Sequence, residues 1–166
     1  MDPAQPSAAS EADVQLYAEG SCHVFALALH RRLGTGFLVV TDPGRPYWED
    51  PADADNVIPS VTHVYALAPD GTAWDVRGAR PVEAVPGEVR ERWPDVLEVD
   101  TDAFGHEGGL ATYVDDMGGA ANDPDETEVD RPLHAVSEAD IDEAWDCALR
   151  ILDGLPGFEA PAPSTP

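Results

Sequence analysis

The stretch "VTHVYALAPDGTAWDVRG", residues 61–78, decides how the chain folds. Two runs rich in β-branched and aromatic residues flank Ala68-Pro69-Asp70-Gly71. Proline at the second turn position presets φ for a type I turn, and glycine at the fourth supplies the left-handed residue of a bulge. With Pro69, Asp70 and Gly71 as the loop, Ala68 faces Thr72 and Tyr65 comes opposite Asp75. His63, further along the same strand, then shares a face with Asp75 as its diagonal neighbour. A tight Asp-Gly turn would shift the register by one residue and send the pair to opposite faces. The proline favours the longer turn.

Upstream, "EGSCHVFALALHRRLG", residues 19–34, reads as an amphipathic helix. Ser21 is placed to cap it, and Cys22, Phe25, Ala26, Leu29 and Leu33 fall on one face. Gly34 is a C-terminal stop, with Arg31 and Arg32 suited to the last turn. Cys22 stands at the helix mouth, where the helix dipole stabilises a thiolate. His23 and His30 lie off the apolar face and read as solvent-facing; His23, beside Cys22, could line a cleft. "GFLVVTD" reads as a short strand, and residues 42–60 as a long proline-rich loop of the kind that rims a site. "PGEVRERWP" reads as a short helix and "VLEVD" as a short strand. Residues 115–130 read as an acidic, solvated loop. Ser137 with Asp140 opens a capping box for a last helix with Ile141, Ala144, Ala148, Leu149 and Leu152 on its apolar face, closed by Gly154.

The chain has 166 residues and a formal charge of −24; its nine basic side chains are all arginine. Such a field repels nucleic acid and anionic lipid, so neither is an expected partner. The N-terminal stretch carries no basic region followed by an apolar run, and no window is apolar enough to span a membrane, which points to a cytoplasmic protein. Residues 1–12 read as a flexible arm, 13–158 as a single α+β domain, and 159–166 as a flexible tail. Cys22 and Cys147 do not make a disulfide framework, and Cys147 reads as core packing.

A thiol at a helix start and a histidine backed by a carboxylate form the set that thiol catalysis needs. The imidazole takes the thiol proton and the carboxylate fixes the ring tautomer. "GSCHVFA" resembles the nucleophile segment of papain-like cysteine hydrolases. "CHVFALALHRRLG" followed by "HVYALAPDGTAWD" is similar to the bacterial cell-wall endopeptidase branch of that superfamily. Cys22, Phe25, Leu33, Gly34, His63, Val64, Gly71 and Asp75 match its pattern over about residues 19–78. That branch commonly has histidine where this chain has Asp75; the transglutaminase-like branch uses aspartate.

The resemblance implies a papain-like core, with the central helix packed on an antiparallel sheet. It implies a hydrolase or acyl transferase acting on an amide or thioester of a peptide or protein substrate. Cys22, His63 and Asp75 would be its catalytic residues, the Cys22 backbone N–H an oxyanion donor, and Gln15 a further donor. No metal or organic cofactor is called for. Three other readings compete. Asp75 could pair structurally with Arg77. Cys22, His63 and Asp75 could bind zinc, although no two of them have close-ligand spacing. Or the chain could be a non-enzymatic interaction or immunity-type protein on the same scaffold. An enzyme should leave Cys22 reachable beside His63, whereas a binding module should bury it.

Overall fold

The computed structural model describes residues 9–116 and 133–152. Helix α1 (Glu11–Glu19) starts inside the stretch expected to be a loose arm. Its cause is a capping box: the Asp13 N–H donates to Ser10 Oγ at 3.1 Å, and the Ser10 N–H donates to Asp13 Oδ2 at 3.2 Å. Helix α2 (Cys22–Leu33) follows, ended by Gly34 at φ 72°. That left-handed conformation costs glycine little, and the Gly34 N–H donates to the His30 carbonyl at 2.8 Å. Ser21 stands at the helix start as expected, but its side chain makes no capping bond.

Strands β1 (Gly36–Asp50) and β2 (Asp53–Leu67) then form one long hairpin. The expected rim loop over residues 42–60 is therefore strand for most of its length. Prolines and register shifts had hidden the pairing, which runs Pro46 to Pro59, Trp48 to Ile58 and Asp50 to Asp53. β3 (Thr72–Asp75) and β4 (Gly78–Pro81) continue the sheet on one side, and β5 (Asp100–Phe104) on the other. The order is β4-β3-β2-β1-β5, antiparallel throughout. The strand expected over 96–100 is shifted onto β5.

Helix α3 (Val85–Arg92) lies between β4 and β5 in sequence, and α4 (Glu107–Ala111) follows β5. Helix α5 (Glu138–Leu152) opens on the Ser137–Asp140 capping box, with the Asp140 N–H donating to Ser137 Oγ at 3.1 Å. It buries Ile141, Ala144, Cys147, Ala148 and Ile151. Gly154, the C-terminal tail and most of the acidic loop lie outside the described residues. Among the described residues no helix is long and apolar enough to cross a membrane.

The sheet has a core on each face. On one, Phe37, Val39, Val64 and Ala66 pack with α1, α2 and α5. Cys22 to Leu29 are all buried there, because α2 runs between the sheet and α5. On the other, Leu38, Val40, Tyr65 and Ala73 pack with Val85 and Val89 of α3 and with Trp93.

Candidate functional site

The β2–β3 turn is the one the sequence predicts. Gly71 has φ 85°, its N–H donates to the Ala68 carbonyl at 3.0 Å, and the Ala68 N–H donates to the Thr72 carbonyl at 2.9 Å. Ala66 pairs with Trp74 and Leu67 with Ala73, which sets Asp75 level with Tyr65. His63 Nε2 donates to Asp75 Oδ2 at 3.0 Å, with both side chains buried. The expected pair is formed.

Asp75 is also the hub of a wider set. Its Oδ1 accepts from the Arg77 backbone N–H and from Arg80 Nη1, each at 2.9 Å. Arg92 stands 3.8 Å from Oδ2, and Glu88 of α3 pairs with Arg80 at 2.8 Å and Arg92 at 3.0 Å. The competing partner expected from sequence, Arg77, thus reaches Asp75 through its backbone; the guanidinium on Asp75 belongs to Arg80. Arg80 comes to the site because Ala73 pairs with Arg80 and Asp75 with Gly78 across the β3–β4 turn. Residues that share a register and a pleat share a face. Gly78, at φ 114°, makes that turn possible.

Burial would raise the Asp75 pKa, but the His63 hydrogen bond, the Arg80 charge and the Arg77 N–H outweigh it and hold the carboxyl well below its usual range. Burial pushes the His63 pKa down, and Arg80 and Arg92 add to this against the pull of Asp75. His63 is therefore neutral near pH 7. Its ring lies edge-on to Tyr65, 4.6 Å between centroids, and 5.3 Å from Trp93. Its Nδ1 has no hydrogen-bond partner among the described residues.

Cys22 is not part of this set. It belongs to the core on the α2 face, whereas His63 touches Tyr65 and Trp93 on the α3 face. The sheet stands between thiol and imidazole. Alternation along β2 accounts for this: Val64 and Ala66 face α2, and His63, paired with Val40, falls with Tyr65 on the other face. A bulge at Thr62, after which Thr41 pairs with Val61, turns only Val61 back to the α2 face.

Cys22 is only 1% exposed, and His23, read from sequence as solvent-facing or cleft-lining, is fully buried. Its burial comes from the crowding of α2, which leaves the first two turns no outer side. Gln15, the suggested oxyanion donor, is on the exposed side of α1. Among the described residues no three His, Cys, Asp or Glu side chains gather where they could hold a metal ion. Arg80, Glu88, Arg92 and Trp93 were missed in the sequence. The one available signal was the "VRGAR" repeat of arginine around a turn glycine.

Fold and site together define an α+β protein built on a five-stranded antiparallel sheet with a buried His–Asp–Arg node on one face. No protein-family model matches the chain, and neither a curated protein nor a solved structure is significantly similar to it.

Proposed function

We propose that the chain is an acidic interaction protein that does not use Cys22 as a nucleophile. The observation that carries this reading is the separation of Cys22 from His63 by the sheet. Thiol catalysis needs the base within hydrogen-bond reach of the sulfur. Turning His63 to the α2 face means moving the Thr62 bulge past it, and that breaks the 3.0 Å bond to Asp75. The same rearrangement that gives the thiol a base removes the base's carboxylate.

Two further features support the reading. The charge of −24 favours a partner with a basic surface. Beyond Thr41 and Val61, β1 and β2 pair only with each other among the described residues, so a two-stranded ribbon extends from the sheet. The test is incubation of the native protein with a thiol-directed acyl electrophile, followed by intact mass measurement. No adduct at Cys22 is expected. A stoichiometric adduct that His63→Ala abolishes would overturn the reading.

The second reading is the papain-like cysteine hydrolase or acyl transferase. The observation in its favour is the His63–Asp75 bond through Nε2, which leaves Nδ1 as the ring's acceptor. That is the nitrogen a general base would use. On this reading Cys22 attacks an amide or thioester carbonyl once His63 has reached it.

A further inference from the structure

We propose that α3 with Trp93 is a pH-sensitive latch, docked over the sheet at neutral pH and released on mild acidification by protonation of His63.

Helix α3 is a weak element by itself. It has eight residues with Pro86 and Gly87 in its first turn, and a helix that short does not persist alone. It buries two apolar side chains, Val85 and Val89. The rest of its hold is the ionic contact of Glu88 with Arg80 at 2.8 Å, Arg92 at 3.8 Å from Asp75, and the half-buried Val82, Trp93, Val96 and Val99 on either side of it, with Trp93 beside the His63 ring. The opposite face of the sheet is closed by α1, α2 and α5 through a far larger apolar cluster.

His63 is fully buried beneath this cover. The groups that face it are Asp75 from β3, Arg80 from β4, Tyr65 from its own strand, and Arg92 and Trp93 from α3 and its end; Glu88 reaches it through both arginines. Asp75 already carries the Arg80 charge and two further donors. A proton on His63 puts a third cation beside Arg80 and Arg92. It also creates an Nδ1–H donor, buried, with no acceptor among the described residues. A buried charge with an unmet donor is costly, and water relieves both. The least costly route for water is to lift α3.

The sign follows from linkage. His63 is held neutral in the docked state, so the docked state binds fewer protons than the open one below the ordinary histidine value of about 6.5. Docking is at full strength above that value and weakens as pH falls below it. Asp75 is held below its usual range and stays ionised throughout the window between about 6.5 and 5, in which His63 takes up its proton.

Hydrogen exchange of the whole chain, corrected for the intrinsic pH dependence of exchange, tests this. Between about pH 7.5 and 5, the amides of Val89 to Trp93 should lose protection by about tenfold or more while those of α2 keep theirs. The His63 ring should titrate, by NMR, with the same midpoint as the loss. His63→Leu should keep α3 protected across the window. Glu88→Gln, which weakens the docking without touching the imidazole, should move the opening to higher pH. Simultaneous loss in α2 and α3 would mean global acid unfolding and would overturn the latch. So would a His63 titration with α3 still protected, or a Glu88→Gln profile identical to the parent's.

Discussion

The two faces of the sheet are closed by opposite chemistry. On the α2 face the cover is apolar and continuous: Phe25, Leu27 and Leu29 of α2 meet Ile141 and Ala148 of α5 with less than 3% of any of them exposed. On the α3 face a smaller apolar patch surrounds the ionic node of His63, Asp75, Arg80, Glu88 and Arg92. The first kind of packing loses stability in proportion to the atoms removed. The second behaves as a unit, because each charge is tolerable only while its partners remain. The sulfur of Cys22 lies in the first environment and the imidazole of His63 in the second.

The largest effect is expected at the hub. Asp75→Ala leaves His63 buried without its acceptor and Arg80 with Glu88 alone, and should cost about 3–5 kcal/mol, read from urea unfolding midpoints. Arg80→Ala should approach that loss. Arg77→Ala should leave the His63 ring resonances in place, since its bond to Asp75 comes from the backbone and survives the change, whereas Arg80→Ala should shift them. Equal shifts for Arg77→Ala and Arg80→Ala would break the distinction between the two arginines.

On the apolar face, Leu27→Ala should cost about 2–5 kcal/mol through the cavity it leaves. Its loss should also be the same at about pH 7.5 and about pH 5, whereas the loss from Asp75→Ala should differ between them. A Leu27→Ala effect that varied with pH would mean that the two faces are coupled.

Smaller effects sharpen the local account. Gly71→Ala places a Cβ in the left-handed region at φ 85° and should cost roughly 1–2 kcal/mol. Because the same turn sets the register of His63 against Asp75, it should also shift the His63 ring resonances. Ser10→Ala removes the α1 cap and should cost about 1 kcal/mol, measured by thermal unfolding. Arg32→Ala breaks a surface ion pair with Asp142 at 2.7 Å and should change stability by no more than about 1 kcal/mol.

The sequence carried some of this plainly and some not at all. The turn residues Pro69 and Gly71 fixed the β2–β3 register, and with it the His63–Asp75 bond, because turn geometry is local. The limits of α2 were legible for the same reason, since Gly34 marks its end. Which face of the sheet α2 covers was not legible. The run from Val61 to Leu67 is apolar on both pleats, as a strand buried on both sides must be, so alternation does not point to one side. The Thr62 bulge then reverses the face of Val61 relative to its neighbours, and a single extra residue leaves no mark in composition.

The ribbon over residues 42–60 was hidden by Pro43, Pro46, Pro51 and Pro59, which argue against a central strand but are tolerated at edges and bulges. Asp42 shows how the ribbon leaves the sheet. Its buried carboxylate accepts from the backbone N–H groups of Gly44, Leu97 and Glu98 at 3.0, 3.0 and 2.9 Å, a long-range clamp invisible to local pattern. The charged node was hidden by distance as well, since Glu88 and Arg92 reach Asp75 and Arg80 only once α3 folds back over the sheet.

The claim on which everything else depends is that the sheet lies between Cys22 and the His63 ring. Nuclear Overhauser contacts in an isotopically labelled sample test it most directly. The His63 ring protons should show cross-peaks to the rings of Tyr65 and Trp93, and the Cys22 β-protons should show them to side chains of the α2-face core alone. Cross-peaks between the His63 ring and the Cys22 β-protons, with none to Trp93, would contradict the account and return the thiol to the imidazole.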